Sequence, residues 1–446
     1  MEQSGFIVVV ELGTTKITGI VARRNTQGVI TILASETLAS DSCVKYGVIY
    51  NIDAAAGKIK RLISLLENKI GKKIGFVYVS VAGKSLRAQE HTETKLLDGN
   101  TPVTLVMLDA LSQQAKLNKP DFYTNYSVHE SQYFLDGVAD ENPVGKTPSS
   151  VEARSIIVIG PPNIKASLKK SIEEKGTVEI KSYITGAIAA GALVVDPEDR
   201  QEGCALIDFG AGTTTLSIYK DGLLKFMTVI PFGGQTVTKD VQALGFAPDA
   251  AEKYKIKYGK LGKRAKEGNE TLPEEVDLRE LNKVIQLRMD EIIFNVIHQM
   301  KESGYSEDLT AGIFTVGGAS QLEGLNEYLE EKAKMTVKRA APKRMYINNA
   351  ADLLQDPAYA QVLGLLLFAN ENCEFVEAPK PEEVEVPKPV GQSEEVPKPL
   401  TKGREKKRKG KKKSGMQGIF NFFEHVQNFG GTMFSDQEEE EEDEDE

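Results

Sequence analysis

The fold is decided by residues 203–219, which read Gly-Cys-Ala-Leu-Ile-Asp-Phe-Gly-Ala-Gly-Thr-Thr-Thr-Leu-Ser-Ile-Tyr. The apolar run 204–207 predicts a buried strand closed by Asp208, and the alternating run after the threonines predicts a strand that returns beside it. Gly210 and Gly212 lack a Cβ, so the backbone between the strands can turn tightly and present its N–H groups. Such donors beside one carboxylate suit a phosphate group with its Mg²⁺, although a hairpin without any ligand would show the same pattern.

The N-terminus repeats this scheme. Residues 7–20 read Ile-Val-Val-Val-Glu-Leu-Gly-Thr-Thr-Lys-Ile-Thr-Gly-Ile, so an apolar strand again ends at an acid and is followed by glycine and threonines. The two acids, Glu11 and Asp208, are 197 positions apart, and a repeat at this spacing indicates two related halves. Two such hairpins facing each other across a cleft would hold a polyphosphate from both sides, with Lys16 adding a positive charge.

A third glycine turn lies at residues 312–320, which read Gly-Ile-Phe-Thr-Val-Gly-Gly-Ala-Ser. The pattern predicts a strand that ends at Gly317 and Gly318 before a helix. A backbone without side chains can approach a flat base or a phosphate there. Three glycine turns in this order are a stronger indication of a nucleotide site than any one of them.

These stretches resemble the actin-like ATPases. Residues 7–16 resemble their first phosphate loop, 204–215 the second and 312–320 the adenosine loop, while 184–194 and 359–368 resemble their two connecting helices. Within that superfamily the sequence is most similar to the FtsA family of bacterial cell-division proteins. The supporting stretches are Tyr-Val-Ser-Val-Ala-Gly-Lys at 78–84, Pro-Val-Gly at 143–145, Val-Ile-Pro-Phe-Gly-Gly at 229–234, Ala-Glu-Lys-Tyr-Lys at 251–255 and an amphipathic C-terminal segment.

The resemblance implies an α/β protein with the actin-like ATPase fold. Two related halves would enclose a nucleotide cleft, and a small extra α+β subdomain would be inserted in the first half. The implied domains are a first-half core at 1–83, the inserted FtsA-type subdomain at 84–162, the core of both halves with the second phosphate loop at 163–232, a small lobe of the second half at 233–305, the second-half core at 306–372, a Pro-rich and then basic disordered linker at 373–413, an amphipathic membrane-targeting helix at 414–431 and an acidic tail at 432–446.

The resemblance also implies roles for the residues of the cleft, with ATP and Mg²⁺ as ligands. Asp208 would hold Mg²⁺ through water, and Glu11 would orient or activate the attacking water. The β- and γ-phosphates would be bound from one side by Gly13, Thr14, Thr15 and Lys16 and from the other by Gly210, Ala211, Gly212 and Thr213. The nucleoside would be held by Gly233, Gly234, Glu252, Lys255, Gly317 and Gly318.

Two of these assignments depend on the family context. Glu252 and Lys255 are three residues apart on a predicted helix and share one face, and an exposed ion pair without a ligand would look the same. Gly233 and Gly234 precede a predicted helix, whose N-terminal N–H groups would attract an anion. Many actin-like ATPases have aspartate at the position of Glu11, and from this difference we expect slow or regulatory hydrolysis.

Composition limits the other classes of function. The chain has 446 residues and only three cysteines, so we expect no disulfide framework. No signal peptide and no apolar run of roughly 20 residues is present, so a cytoplasmic location is expected. The four histidines share no ligand spacing. Because ten of the last eleven residues are acidic, the rest of the chain carries no net charge, and no groove for nucleic acid is expected.

The C-terminal part changes character after about residue 372. Glu-Val-Pro-Lys-Pro occurs at 385–389 and again at 395–399, and residues 402–413 then hold nine basic residues and one acid. At helical spacing the following residues form one apolar face, which consists of Met416, Ile419, Phe420, Phe422, Phe423, Val426 and Phe429. This helix would lie in the interface of an anionic membrane, although it would also suit docking on the protein itself or on a partner.

From these features we expect an ATP-binding, actin-like cell-division protein on the cytoplasmic side of the cell membrane. By resemblance it would polymerise with itself, bind the C-terminal peptide of FtsZ, anchor the FtsZ ring and recruit later division proteins. The alternatives are an actin-fold small-molecule kinase, for which neither a general-base aspartate motif nor a sugar pocket is found, and a chaperone ATPase, which would need a folded substrate domain after residue 370. An actin-fold pilus-assembly ATPase is a third alternative and would not need the C-terminal helix.

Overall fold

The computed structural model describes residues 5–117, 122–128, 131–263, 277–342 and 347–375. Its strands, in chain order, are β1 (Ile7–Leu12), β2 (Lys16–Arg24), β3 (Ile30–Ala39), β4 (Val44–Lys45), β5 (Val48–Ile49), β6 (Phe76–Val81), β7 (Arg87–Leu96), β8 (Thr124–Val128), β9 (Gln132–Leu135), β10 (Val138–Ala139), β11 (Ser150–Gly160), β12 (Glu179–Thr185), β13 (Cys204–Phe209), β14 (Thr214–Lys220), β15 (Leu223–Ile230), β16 (Gly312–Val316), β17 (Val337–Arg339) and β18 (Ile347–Asn348).

Its α-helices are α1 (Ile52–Ile70), α2 (Leu105–Leu117), α3 (Asn163–Lys169), α4 (Gly186–Val194), α5 (Pro197–Glu202), α6 (Gly234–Gln242), α7 (Pro248–Tyr258), α8 (Leu278–Glu302), α9 (Leu325–Ala333), α10 (Ala351–Gln355) and α11 (Ala360–Phe368). A π-helical turn, Lys170–Glu174, continues α3, and 3₁₀ turns lie at Ser306–Asp308, Gly318–Gln321 and Pro357–Tyr359.

Two sheets repeat one strand order. In the first sheet β1, β2 and β3 form an antiparallel meander, and β6 and then β12 add parallel strands on the other side of β1. In the second sheet β13, β14 and β15 form the same meander, and β16 and then β17 add parallel strands beside β13. The order is therefore duplicated, as the repeat of the two acidic hairpins predicts.

The first strand of each meander is apolar because it is covered on both faces. Every residue of β13 is buried, and β1 is buried except at Glu11, which is partly accessible. Strands with parallel neighbours and helices on both sides read as continuous apolar runs rather than as alternating ones. This explains why the runs before Glu11 and Asp208 contain almost no polar residue.

Helices α4 and α11 pack closely on each other, and glycine makes this possible. A Cβ on Gly364 of α11 would overlap the backbone of Ala189 in α4. Both helices are almost entirely apolar, and most of their residues are buried. They correspond to the stretches that resemble connecting helices.

Helix α1 covers the first sheet and shows how the sequence sets its ends. The Asn51 side chain accepts a hydrogen bond from the Ala54 N–H, and Gly71 ends the helix in the left-handed region at φ 66°. Its buried residues recur at helical spacing: Ala55, Ala56, Ile59, Leu62, Ile63 and Leu66.

The segment 84–162 has a small core of its own. Helix α2 packs on β7 and β11, and the buried residues there are Val103, Met107, Leu108, Leu111, Val151 and Ala153. Along the chain this segment belongs to the first half. Its strand β7, however, pairs with β15 at Arg87 and Thr228, so its strands extend the sheet of the second half.

The second half carries a further helical layer. Helices α6 and α8 pack together, α7 packs on α6, and α8 spans the faces of β14 and β15. The apolar face of α8 is buried at Leu281, Ile285, Met289, Ile292, Ile293, Val296 and Met300. Among the described residues no helix is both long and apolar enough to cross a membrane.

Candidate functional site

The two acidic hairpins end in the same turn. The Gly13 N–H donates to the Lys16 carbonyl at 2.8 Å, and the Gly210 N–H donates to the Thr213 carbonyl at 2.9 Å. In both turns a Cβ on the glycine would lie within 3 Å of the carbonyl that its own N–H contacts. Glycine is therefore required at equivalent positions, and the sequence repeat is also a repeat of geometry.

The two turns face each other around one small cavity. A Cβ on Gly212 in the second turn would overlap the Thr14 side chain in the first, so the two loops are in contact. The cavity between them has a volume of about 120 Å³. It is lined by Glu11, Leu12, Gly13, Thr14, Thr15, Lys16, Gly47, Ser80, Ala82, Asp208, Gly210, Ala211, Gly212, Thr213, Gly317, Gly318, Pro357, Ala358 and Gln361.

The two acids of this cavity differ in exposure: Asp208 is buried, whereas Glu11 is partly accessible as a residue but has its carboxylate oxygen Oε2 buried. Burial raises the pKa of Glu11 to about 7; the positive charge of Lys16 opposes this rise, and the charge of Asp208 adds to it. Burial also raises the pKa of Asp208, while a hydrogen bond from Gln361 and the charge of Lys16 lower it. Glu11 Oε2 is buried without a hydrogen-bond partner in the described part of the chain. A buried oxygen in that state is suited to an incoming donor such as water.

Lys16 supplies the positive charge of the smaller cavity. Its Nζ lies 3.4 Å from the centroid of the Tyr359 ring, in cation–π geometry. Tyr359 lies just before α11, so this contact joins the first hairpin to the start of that helix.

A side chain that the sequence did not single out reaches Asp208. Gln361, at the start of α11, donates from Nε2 to Asp208 Oδ2 at 2.7 Å. The next residue, Val362, contacts Glu11 through its backbone N–H. Both acids are therefore bound to the first turn of one helix. No local pattern marks Gln361, because it is 153 positions from its partner in the sequence.

A second, larger cavity of about 590 Å³ opens beside the smaller one. The two share Thr15, Ala211 and Gly318. The larger cavity is lined by Thr15, Ala211, Gly234, Gln235, Val237, Thr238, Lys239, Gln242, Pro248, Asp249, Glu252, Lys255, Ile256, Met289, Gly318, Ala319, Gln321 and Leu322. Half of these residues are polar or charged, although apolar atoms form most of the wall, as in many ligand pockets.

The predicted pair Glu252 and Lys255 belongs to this larger cavity. Lys255 Nζ lies 2.7 Å from Glu252 Oε2, and it also donates to the Thr238 hydroxyl at 2.8 Å and to the Gly234 carbonyl at 3.0 Å. The Lys255 side chain is only 12% exposed, and burial lowers its pKa. Lys255 is therefore part of the pocket wall, and Glu252, whose side chain is 45% exposed, lines the same cavity. Thr238, which links it to α6, was not identified from the sequence.

The N-terminus of α6 differs from expectation. The sequence predicts free N–H groups after Gly233 and Gly234 that would attract an anion. In the structure the Gly234 N–H donates to the Gly210 carbonyl at 3.0 Å, and the Gln235 N–H donates to the Ala211 carbonyl at 2.8 Å. Both donors therefore hold the loop at 210–211 and are not available to a ligand. The expectation of an anion site at these N–H groups is wrong.

The structure therefore brings most of the predicted cleft residues to the two adjoining cavities. Gly233 lines neither cavity and instead packs against the backbone of the loop at Gly210 and Ala211. The predicted membrane face, which consists of Met416, Ile419, Phe420, Phe422, Phe423, Val426 and Phe429, lies outside the described residues.

The smaller cavity fits a phosphate group with a hard cation. It combines buried carboxylates, one ammonium group, threonine hydroxyls and bare glycine backbone. No cluster of three or more metal-ligating side chains occurs among the described residues. Mg²⁺ does not require such a cluster, because it is commonly bound through one or two carboxylates together with waters and substrate phosphates.

Comparison with known proteins identifies the class first. A solved structure titled "PilM-PilN type IV pilus biogenesis complex" matches with a TM-score of 0.59 and 15% identity, over 81% of this chain and 98% of that chain. The chain has the actin-like ATPase fold, and the fold predicted from the sequence is confirmed.

Within this class the chain resembles the cell-division protein FtsA. The family model described as "Cell division protein FtsA" matches residues 205–364. FtsA of Porphyromonas gingivalis is 26% identical over 381 residues, which cover 82% of this chain and 78% of that protein. FtsA of Pseudomonas aeruginosa is 28% identical over 381 residues, which cover 82% of this chain and 90% of that protein. The resemblance predicted from the sequence is confirmed, and it supports an actin-like protein of cell division.

Proposed function

We propose that this chain binds Mg-ATP in its cleft and works as an FtsA-type cell-division protein. The observation that carries the proposal is the pair of matching turns, each with an acid and a glycine, that face each other around one cavity. A polyphosphate in the smaller cavity would extend its nucleoside into the larger one, since the two adjoin at Thr15, Ala211 and Gly318.

The two loops, Lys16 and Asp208 would each have a different role in binding the phosphates and the cation. The first loop would bind from one side and the second from the other, with glycine N–H groups and threonine hydroxyls as donors. Lys16 would balance phosphate charge, and Asp208 would hold Mg²⁺ through water. When bound, the cation would offset negative charge on the phosphates.

Glu11 would orient the attacking water, since its Oε2 is buried and unpartnered among the described residues. Burial raises its pKa to about 7, so a large fraction of Glu11 is protonated at neutral pH. A carboxyl whose pKa lies near the working pH can exchange a proton with water, and this supports Glu11 as the group that handles the attacking water.

The nucleoside would be held by the walls of the larger cavity. Lys255 and Glu252 would contact the ribose or base from α7, and Gly318, which lines both cavities, would let the backbone approach from the other side. Gly317 lines only the smaller cavity and would act where the two adjoin. Gly317 adopts φ 90°, and a Cβ there would overlap Asp208 and Phe209. A side chain at this position would therefore obstruct both the turn and the acid.

Outside the cleft, we propose that the protein anchors the FtsZ ring to the membrane. The small lobe at 233–305 would bind the C-terminal peptide of FtsZ, and later division proteins would be recruited afterwards. Arg288, which from its charge would suit an acidic peptide, is bound to Asp240 and Glu291. Lys263 is described and exposed, whereas Arg264 and Lys266 lie outside the described residues.

The protein would also polymerise and bind membranes. Head-to-tail contacts between the segment 84–162 and the second half of a neighbour would give an open filament. The amphipathic segment 416–430 would lie in the interface of an anionic membrane on its cytoplasmic side. The pilus-assembly and small-molecule kinase alternatives are supported by the shared fold alone, so neither is proposed.

The experiment that tests this function is co-pelleting with anionic vesicles and FtsZ, with and without ATP. The full chain should carry FtsZ into the vesicle pellet, and the chain truncated after residue 413 should leave both proteins in the supernatant. Electron microscopy of the same samples should show protofilaments on the lipid with ATP. Failure of the full chain to bring FtsZ to vesicles would contradict the proposed anchoring role.

A further inference from the structure

Gln361 occupies a junction between the smaller cavity and the packed pair of helices α4 and α11. Its Nε2 donates to Asp208 Oδ2 at 2.7 Å, and its side chain lines the cavity. Its Oε1 lies against the first residue of α4, where a Cβ on Gly186 would overlap it. The amide is therefore fixed at both ends, by a carboxylate on one side and by a helix on the other.

The backbone around Gln361 is fixed as well. Three residues further along α11, a Cβ on Gly364 would overlap Ala189 of α4, so the two helices are in backbone contact. The neighbouring Val362 N–H contacts Glu11. The start of α11 thus contacts Glu11 through the Val362 backbone N–H, which almost any residue could supply. It contacts Asp208 through the Gln361 side-chain amide, which depends on a donor of this length.

The bond to Gln361 also sets the direction of the Asp208 carboxylate. Oδ2 is taken by Gln361, and Oδ1 lies against the Cα of Gly317. The hydrogen bond at Oδ2 and the close packing at Oδ1 restrict the rotation of the carboxylate before a ligand arrives. The charged groups that face it across the cavity are Glu11 and Lys16, with the Tyr359 ring beside the Lys16 ammonium group.

We propose that Gln361 is a positioning residue for Asp208, which orients the carboxylate for a hydrated divalent cation bound with the nucleotide phosphates. This inference rests on the proposed nucleotide site. Hydrogen-bonded partners of metal-binding groups typically change metal affinity by about 10- to 100-fold when removed. Because Gln361 acts through Asp208, its loss should affect the cation-dependent part of nucleotide binding and not the remainder.

The test compares the Kd of a fluorescent ATP analogue in Mg²⁺ and in EDTA, for the full chain and for Gln361→Leu. Leucine keeps the size of the side chain and removes the amide. In Mg²⁺ the variant should bind about tenfold more weakly than wild type or worse, and in EDTA the two should agree within about twofold. Gln132→Leu is the matched control, since Gln132 is a distant amide bound to Lys225 at 2.8 Å and should change neither value.

The outcomes separate this inference from the function on which it rests. If Gln361→Leu loses the same affinity in Mg²⁺ and in EDTA, Gln361 has a general structural role and the inference is overturned. The inference is also overturned if Mg²⁺ strengthens analogue binding by Gln361→Leu as much as it does for wild type. If wild type binds the analogue in neither condition, the proposed function itself fails. Should Gln361→Leu not fold, Gln361→Asn gives the same comparison, because its amide is one methylene too short to reach Asp208 and the Mg²⁺ response should again be reduced.

Discussion

At the scale of single residues, the two acids of the cleft are equivalent in sequence but not in environment. Glu11 and Asp208 end matching strands, yet Glu11 Oε2 has no partner in the described part of the chain, whereas Asp208 Oδ2 accepts from Gln361. The free oxygen and the raised pKa of Glu11 suit a group that handles water. The bound oxygen of Asp208 suits a group that holds a cation in one place.

The environment of Glu11 predicts a pH-dependent cost in stability. Its pKa is about 7 in the folded protein and 4.5 for an unperturbed group, so the folded state binds the proton more tightly. The free energy of unfolding should therefore fall as pH rises from about 4.5 to about 7, by on the order of 3 kcal/mol at most. Glu11→Gln removes this titration, so nucleotide-free Glu11→Gln should be more stable than wild type at pH 8.

Thermal and urea unfolding at pH 5 and pH 8 check this expectation. The stability difference between Glu11→Gln and wild type should grow from pH 5 to pH 8. A difference of the same size at both pH values would show that burial does not perturb Glu11 as described.

The sequence predicted the acids, glycines and threonines of the cleft because each lies in a local pattern that repeats. It could not predict Gln361 or Thr238, since each matters through a partner that is distant in the chain and close only in the fold. The sequence also could not predict that the N–H groups at the start of α6 donate to the loop at 210–211. Whether such donors meet a ligand or a neighbouring carbonyl depends on where the loop at 210–211 passes.

At the scale of elements, close packing of α4 on α11 depends on glycine at the crossing. A Cβ on Gly364 would overlap backbone atoms of Ala189 and Ala190, which cannot move aside as a side chain can. Gly364→Ala should therefore destabilise the protein by about 1–3 kcal/mol, as overpacking does in well-packed cores.

The matched control for this substitution is Gly57→Ala in α1. Gly57 is exposed in the middle of that helix, and nothing lies within 4 Å of the position of its Cβ. Alanine there should raise stability by roughly 0.5–1 kcal/mol, because it restricts the unfolded chain and favours helix. Urea unfolding of both variants measures the difference, and a neutral Gly364→Ala would show that the two helices separate easily.

Element identities followed from the sequence where the pattern was apolar and repeated, as for the first two strands of each meander. The pairing of β7 with β15 did not, because segment 84–162 belongs to the first half along the chain and joins the second half only in space. Periodicity shows that a strand exists but not which sheet edge accepts it.

At the scale of the whole molecule, we propose that residues 416–430 bind the membrane. Phe420→Glu with Phe423→Glu puts two charges on the predicted apolar face and should abolish binding to anionic vesicles. Gln417→Glu with Asn421→Glu adds the same charge to the polar face and should leave most of the binding. Vesicle pelleting measures both, and a double phenylalanine variant that still pellets would exclude this helix as the anchor.

The charged segments on either side of that helix predict a dependence on salt. Residues 402–413 would attract an anionic leaflet, with each basic residue contributing up to about 1 kcal/mol, and the acidic tail would oppose this. Deletion of 436–446 should therefore strengthen vesicle binding, most clearly at low salt. Equal binding of the full and shortened chains at low salt would contradict an inhibitory role of the tail.

We propose that the two matching hairpins bind one Mg-ATP between them, and calorimetric titration measures this binding. Wild type should bind Mg-ATP at one site. Asp208→Ala, which removes the carboxylate assigned to the cation, should weaken binding by on the order of 2 kcal/mol or more, about thirtyfold in Kd. Asp53→Ala on the exposed surface of α1 should leave binding unchanged. If Asp208→Ala is folded and binds Mg-ATP as tightly as wild type, the site assigned to this cleft is wrong.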